Sequence, residues 1–176
     1  MTRVPETTGG AGVTERIRLR RGGTLRPIDR VLLHSPALAD GWNSLLGTLR
    51  GGLDLPGALR EIVALRVAVL NDAAYEWESH EAAGSREGLT AVKLAALRAP
   101  FPGQLGVFDE TELLVLDLTD TITHEVAVPD ELFARAAAAF ETTELVELVT
   151  TIAAYNMVSR LVVAFRIQSS GSEATE

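Results

Sequence analysis

The chain has 176 residues and is 47% hydrophobic, which is enough for one domain with a proper core. A formal net charge of −8 argues against nucleic acid and anionic membrane as partners, since both favour basic surface. The lack of any cysteine excludes disulfides and thiolate zinc sites, and three histidines leave few metal options.

Residues 1–26 are rich in Gly, Thr and Arg and carry too little apolar content to fold alone, so the expectation is a flexible N-terminal tail. Its arginines at 16, 18, 20 and 21 either grip an acidic neighbouring subunit or, the favoured reading, decorate a solvated arm. Residues 27–33 are expected to be extended and docked, opening a helical domain over 27–168. Ser35 with Pro36 marks a helix start, and Leu38, Trp42, Leu45, Leu46 and Leu49 give that helix its apolar stripe before Gly51 and Gly52 end it.

Pro56 opens the central helix, which is apolar all round from Leu59 to Leu70 and is therefore expected to be buried. Its charges are misplaced in such a helix. Arg60, Glu61 and Arg66 point in three directions roughly 120° apart, so at least one turns inward, where a charge must be paired or hydrogen-bonded. Asn71-Asp72 breaks or bends the chain. The next helix carries YEWESH and stops around Gly84 to Gly88. In it Glu76 and His80 share one face at a spacing of four, while Tyr75, Trp77 and Asn71 stand close enough in sequence to wall a cavity.

Thr90 caps a short helix to about Leu97, closed off by Pro100 and Pro102. Asp109 with Glu112 makes a capping-box start for a helix to about Thr123, and Pro129 starts an alanine-rich helix to Phe140. A long helix from Thr142 or Thr143 to roughly Ile167 follows, and residues 169–176 are expected to be disordered. On that last helix Asn156 and Arg160 lie together, opposite Glu144, Glu147 and Thr151. Two readings stand for Arg160: it ties the helix to the core by pairing with a carboxylate such as Glu61 or Glu76, or it holds a substrate carboxylate. His34 and His124 lie near element ends and read as surface groups. No β-alternation of any length is found, so the fold class is all-α with about six to seven helices. No run of ~18 apolar residues free of charge is read, nor a basic-then-apolar leader; no membrane partner is expected and the expected location is cytoplasmic.

The spacing from Glu61 through YEWESH resembles the carboxymuconolactone decarboxylase family, which includes the alkyl hydroperoxidase D-like proteins. In that family a Glu is followed twelve residues later by the first cysteine of a C-x-x-C pair, and a His stands four beyond the second. Glu61 takes the place of the family Glu and His80 that of the His. Ala73 and Glu76 fall where the redox subfamily has its cysteines. The segment EGLT and the closing helix agree in order. The resemblance implies the AhpD-like helical fold, homo-trimers or homo-hexamers, and the cysteine-free, decarboxylase-like branch, since a thiol peroxidase needs a thiolate and a resolving thiol.

The implied function is a cofactor-independent lyase acting on a small organic acid or lactone. His80 would donate the proton, Glu61 would orient it, and Glu76 is a competing base; Tyr75, Trp77, Asn71, Asn156 and Arg160 are the candidate substrate wall. The alternative is a catalytically inactive oligomer that binds small molecules, or a member that earns a peroxidase label by family alone. Glu76 and His80, with Glu61 as a third donor, also have the spacing to share a cation, although neither metal nor cofactor is expected.

Overall fold

The computed structural model describes residues 2–169; the expectation of disorder over 169–176 lies, beyond Ser169, outside the described residues. Among the described residues there are nine α-helices, one short 3₁₀ turn and no strands. They are α1 (Ala11–Arg21), α2 (Pro27–Leu32), α3 (Pro36–Gly51), α4 (Gly57–Leu70), α5 (Ala74–Arg86), α6 (Ala91–Leu97), α7 (Glu110–Glu125), α8 (Asp130–Ala139) and α9 (Thr142–Phe165), with the 3₁₀ turn at Pro102–Leu105. The described residues form two compact units, residues 2–52 with 162–169, and residues 53–161.

The first unit departs from expectation. Where a flexible tail is expected, α1 forms and packs on α3, and where an extended segment is expected, α2 packs on α3 as well. Pro27 opens α2 with its fixed φ, and the Asp29 carboxylate accepts from the Arg26 backbone N–H at 2.9 Å, meeting one of the orphan donors of the first turn. Ile28, Val31 and Leu32, at helical spacing, are buried. Along α1, Thr14 and Ile17 are buried, and Thr14 Oγ1 donates to Thr8 O at 2.9 Å. Ser35 occupies the N-cap of α3 as expected, yet its side chain accepts no capping hydrogen bond.

The second unit is organised around α4, which packs against α5, α6 and α7. Residues Leu59 and Glu61–Ala68 are buried with no solvent-facing stripe, as an all-apolar helix requires. Asn71 ends α4 and Asp72 takes a left-handed φ of 51°, reversing the chain within three residues into α5. A reversal this short makes α4 and α5 antiparallel neighbours. Their approach is close at Gly84, where a Cβ would meet Leu65 Cδ1 and Leu89 Cδ1 at 3.2 Å. Thr90 caps α6, its Oγ1 accepting from Lys93 N at 3.2 Å, and Asp109 and Glu112 form a reciprocal capping box at the start of α7.

Helix α9 is long and apolar enough to cross a membrane by length and composition, but half of its most apolar window is buried inside the protein. Leu148, Thr151, Ile152 and Ser159 on it are fully buried.

Candidate active site

The α4–α5 hairpin decides which residues meet. Asn71 lies midway in sequence between Glu61 and His80, so two antiparallel helices reversing there bring these two side chains to the same height. The contact is direct: His80 Nδ1 donates to Glu61 Oε2 at 2.8 Å. On the other side of the ring, Glu76 Oε2 lies 3.6 Å from His80 Nε2, one helical turn back on α5. Tyr155 of α9 meets the imidazole edge-on, with centroids 5.0 Å apart and planes at 89°. His80, Glu61 and Glu76 are 4%, 8% and 2% exposed, so the group is held among protein atoms.

This arrangement fixes the chemistry available. A neutral imidazole carries one N–H, and here Nδ1–H is directed at Glu61. Nε2 then faces the Glu76 carboxylate as acceptor to acceptor, and Glu76 Oε2 is buried without a hydrogen-bond partner. Nε2 is thus the ring nitrogen not engaged by Glu61, 3.6 Å from Glu76 Oε2. Glu61 and Glu76 engage opposite nitrogens and therefore do not converge on one cation position; among the described residues no cluster of three His, Asp or Glu side chains does.

The candidate wall splits in two. Trp77, 5% exposed, lines a cavity of about 260 Å³ together with Ala68, Asp72, Ala73 and Arg98. Its indole N–H is buried without a partner. Trp77 precedes His80 by three positions, so the two are neighbours on the α5 surface. Tyr75 is also buried on this helix. Asn71, Asn156 and Arg160 belong to a different cluster. Asn71 Nδ2 donates to Asn156 Oδ1 at 3.0 Å and to Ser159 Oγ at 2.8 Å, while Asn156 Nδ2 donates to Thr123 Oγ1 at 2.9 Å and Ile152 O at 3.1 Å. Arg160 donates to Asn156 O at 2.9 Å and also to Asn156 Oδ1. The suggested pairing of Arg160 with Glu61 or Glu76 is thus absent: its guanidinium reaches back one turn along its own helix.

Sequence reading missed Arg98. Its guanidinium carbon stands 3.7 Å over the Trp77 ring, at the cavity and more than half exposed. The only sequence signal was a cation just past the end of α6, which is common at helix C-termini.

Residues 36–100, which include Glu61, Glu76 and His80, match the model of the carboxymuconolactone decarboxylase family. No curated protein matches the chain at a significant level. Among solved structures, an uncharacterized peroxidase-related protein from Silicibacter sp. TM1040 superposes with a TM-score of 0.82 at 14% identity, covering 99% of this chain and 95% of that one. A second uncharacterized peroxidase-related protein, an alkylhydroperoxidase AhpD core from Ralstonia eutropha JMP134, gives 0.80 at 14% identity over 96% and 92%. A protein of unknown function from Agrobacterium tumefaciens, provisionally described as the antioxidant-defence protein AhpD, gives 0.67 at 24% identity over 77% and 92%. Over residues 36–100 the chain is similar to the carboxymuconolactone decarboxylase family, and it takes an AhpD-like fold, all-helical among the described residues, with no cysteine in the sequence.

Proposed function

We propose that this protein is a cofactor-independent acid–base enzyme of the decarboxylase-like branch, acting on a small organic acid or lactone. The observation that carries the reading is one imidazole held between two buried carboxylates, Glu61 at 2.8 Å and Glu76 at 3.6 Å. In decarboxylation the bond to the carboxyl carbon breaks, carbon dioxide leaves, and the electron pair stays behind as an enolate that must be protonated. His80 Nε2 delivers that proton and is the catalytic residue in this proposal. Glu61 is a positioning residue that fixes the ring, and Glu76 resupplies the proton. Arg98, which stands over the Trp77 ring at the cavity, is suited to hold the substrate carboxylate. Glu76 stands where the redox branch of the family has a thiol, so the proposal replaces thiol chemistry with proton transfer. The peroxidase-related names of the structural neighbours belong to those proteins.

The test uses a panel of small lactones and carboxylic acids, first as thermal-shift ligands and then as substrates. His80→Gln should lower turnover by roughly 10²- to 10⁴-fold while leaving the fold and ligand binding intact. Arg98→Gln should raise KM with little change in kcat. Folded, ligand-binding His80→Gln protein with undiminished turnover would remove this mechanism.

Burial of all three side chains above 90% favours a second reading, in which Glu61, His80 and Glu76 only hold α4 to α5 and the protein binds its ligand without turning it over. In that case His80→Gln lowers the melting temperature and leaves no activity to lose.

A further inference from the structure

The cavity beside Trp77 has a wall of one kind and a rim of another. Ala68 of α4, with Ala73 and Trp77 at the start of α5, is buried and apolar, while Asp72 and Arg98, both exposed, bring the two charges that line the space. All of these residues lie in the second unit. At about 260 Å³ the cavity is smaller than those that take drug-sized ligands, and at about 30 Å³ for each water-sized group it holds a molecule of about nine heavy atoms or fewer.

Neither charge is spent within the protein. Among the described residues the Asp72 carboxylate makes no hydrogen bond and no ion pair; its backbone N–H alone is engaged, on Val69 O at 3.3 Å. Arg98 stacks over the Trp77 ring, and its one carboxylate neighbour among the described residues, Glu81, is 4.0 Å away with both side chains more than half exposed. An exposed pair at that distance contributes little, so the guanidinium keeps its donors for a ligand. The turn explains part of Asp72. Its φ of 51° lies in the left-handed region, which Asp and Asn adopt more readily than most residues, and a negative charge just before α5 suits the helix dipole. Asn would serve the turn equally well, and Glu76 already places a carboxylate in the first turn of α5. Neither demand calls for a carboxylate on a cavity that also carries a free guanidinium.

We infer that this cavity takes a small monocarboxylate bearing a hydrogen-bond donor, hydroxyl or ammonium, at the far end of an apolar spacer, and that Asp72 sets this class. Arg98 receives the carboxylate, the alanines and the Trp77 ring cover the spacer, and Asp72 accepts from the donor. A second carboxylate in place of that donor would stand against Asp72, acceptor to acceptor and charge to like charge, so dicarboxylates are rejected. The inference rests on reading this cavity as the substrate site, and not on the proton transfer assigned to His80.

The test is calorimetric titration of the full chain, at low ionic strength, with γ-hydroxybutyrate, γ-aminobutyrate and succinate, which share one chain length. None carries the β-keto group that decarboxylation needs, so binding alone is read. At least one donor-bearing acid should bind wild type about fivefold more tightly than succinate, the tighter of the two identifying the donor, and about 1 M sodium chloride should narrow the gap. Asp72→Asn keeps the turn and should bring that ratio to about one, with a fall in melting temperature of no more than roughly 4 °C. Arg98→Gln should weaken every probe that binds by about fivefold or more. No saturable binding of either donor-bearing acid, succinate bound as tightly by wild type, or a preference that survives Asp72→Asn would each overturn the proposal. Turnover separates this from the reaction: activity that depends on His80 without this selectivity keeps the chemistry and discards the class, whereas selective binding with turnover indifferent to His80 does the reverse.

Discussion

Arg66 offers the most direct test of how the second unit is held. It is 2% exposed in the middle of α4, with its fork closed on Asp120 of α7, Nε to Oδ1 at 2.7 Å and Nη2 to Oδ2 at 2.6 Å. The same guanidinium donates to Leu97 O at 3.1 Å, Ala99 O at 2.8 Å and Pro100 O at 3.2 Å. Arg66→Met keeps the length of the stem and removes every donor. Breaking a buried ion pair from one side costs about 3–5 kcal/mol, and because Asp120 is one-third exposed and can take up water, the lower end applies, about 3 kcal/mol. For a chain of this size that is a fall in melting temperature of roughly 6–12 °C. Asp120→Asn leaves the guanidinium its three carbonyls and should cost less than half as much. Circular-dichroism melts and urea titrations of both variants supply the numbers. A loss below about 1 kcal/mol for Arg66→Met, or a larger loss for Asp120→Asn, would refute the view that Arg66 is the cross-brace. Because its carbonyl partners flank Arg98, Arg66→Met should also slacken the cavity wall at Trp77.

Other expectations follow from the same structure. We propose that the chain assembles as a homo-trimer or homo-hexamer, with Phe133, Val126, Val146 and Val163 among the apolar side chains left exposed on one copy; light scattering that gives a stable monomer at micromolar concentration would refute this. Consumption of organic peroxide should not depend on a thiol reductant, since the sequence contains no thiol; dithiothreitol-dependent turnover that survives removal of contaminating metal would show otherwise. Arg16 holds the solvent-exposed Asp40 carboxyl below its usual range through a 2.9 Å contact. A depressed carboxyl stabilises the fold above its unfolded value and loses that contribution as pH falls. Wild type should therefore melt slightly above Asp40→Asn at pH 6, by no more than about 2 °C, with the gap closing below pH ~3.9 and shrinking in 1 M salt.

Much of the second unit was legible because its signals are local. Proline and glycine bounds, the Thr90 cap and the Asp109–Glu112 box each act within four residues, and α4 to α9 begin and end close to where those signals stand, as does α3 in the first unit. The inward turn of charge on α4 was legible too, as a conflict between an all-apolar helix and three charges pointing apart. The outcome is that Glu61 and Arg66 are buried while Arg60 stays half-buried, its Nη1 donating to Leu55 O at 3.4 Å. Which partner each charge would find depended on distance along the chain. Glu61 meets His80 across one hairpin, and helix arithmetic reaches that far. Arg66 meets Asp120, 54 residues away on α7, and no local spacing encodes that. Helix α1 was missed for a related reason: its own sequence is too polar to announce a helix, and α3 supplies the order, through Asp40 to Arg16 and Asn43 to Arg20. Helix α2 was readable in principle, since Pro27, Asp29 and the apolar set at 28, 31 and 32 are a helix start at proper spacing. Six residues were too few for periodicity to outweigh the glycines before them.

The exchange at position 76 bears most directly on the proposed chemistry. Glu76 lies in the first turn of α5, where free backbone N–H groups favour a negative side chain. The same setting favours a thiolate, which is what the resemblance implies for the redox branch at this position. Replacing thiolate by carboxylate preserves one negative charge, the helix end and the imidazole beside it, so the fold needs no change to accept the swap. What changes is the reaction open to it: a thiolate can be oxidised and resolved, whereas a carboxylate next to Nε2 can only exchange a proton. Ala73, the other position of the pair, is 2% exposed and lines the cavity beside Trp77, so its small side chain leaves that space open. An Ala73→Val substitution, which fills that space without touching Glu61, Glu76 or His80, should therefore raise KM for the substrate while leaving the 2.8 Å His80–Glu61 contact and the melting temperature little altered. Unchanged KM would mean that substrate reaches His80 by another route.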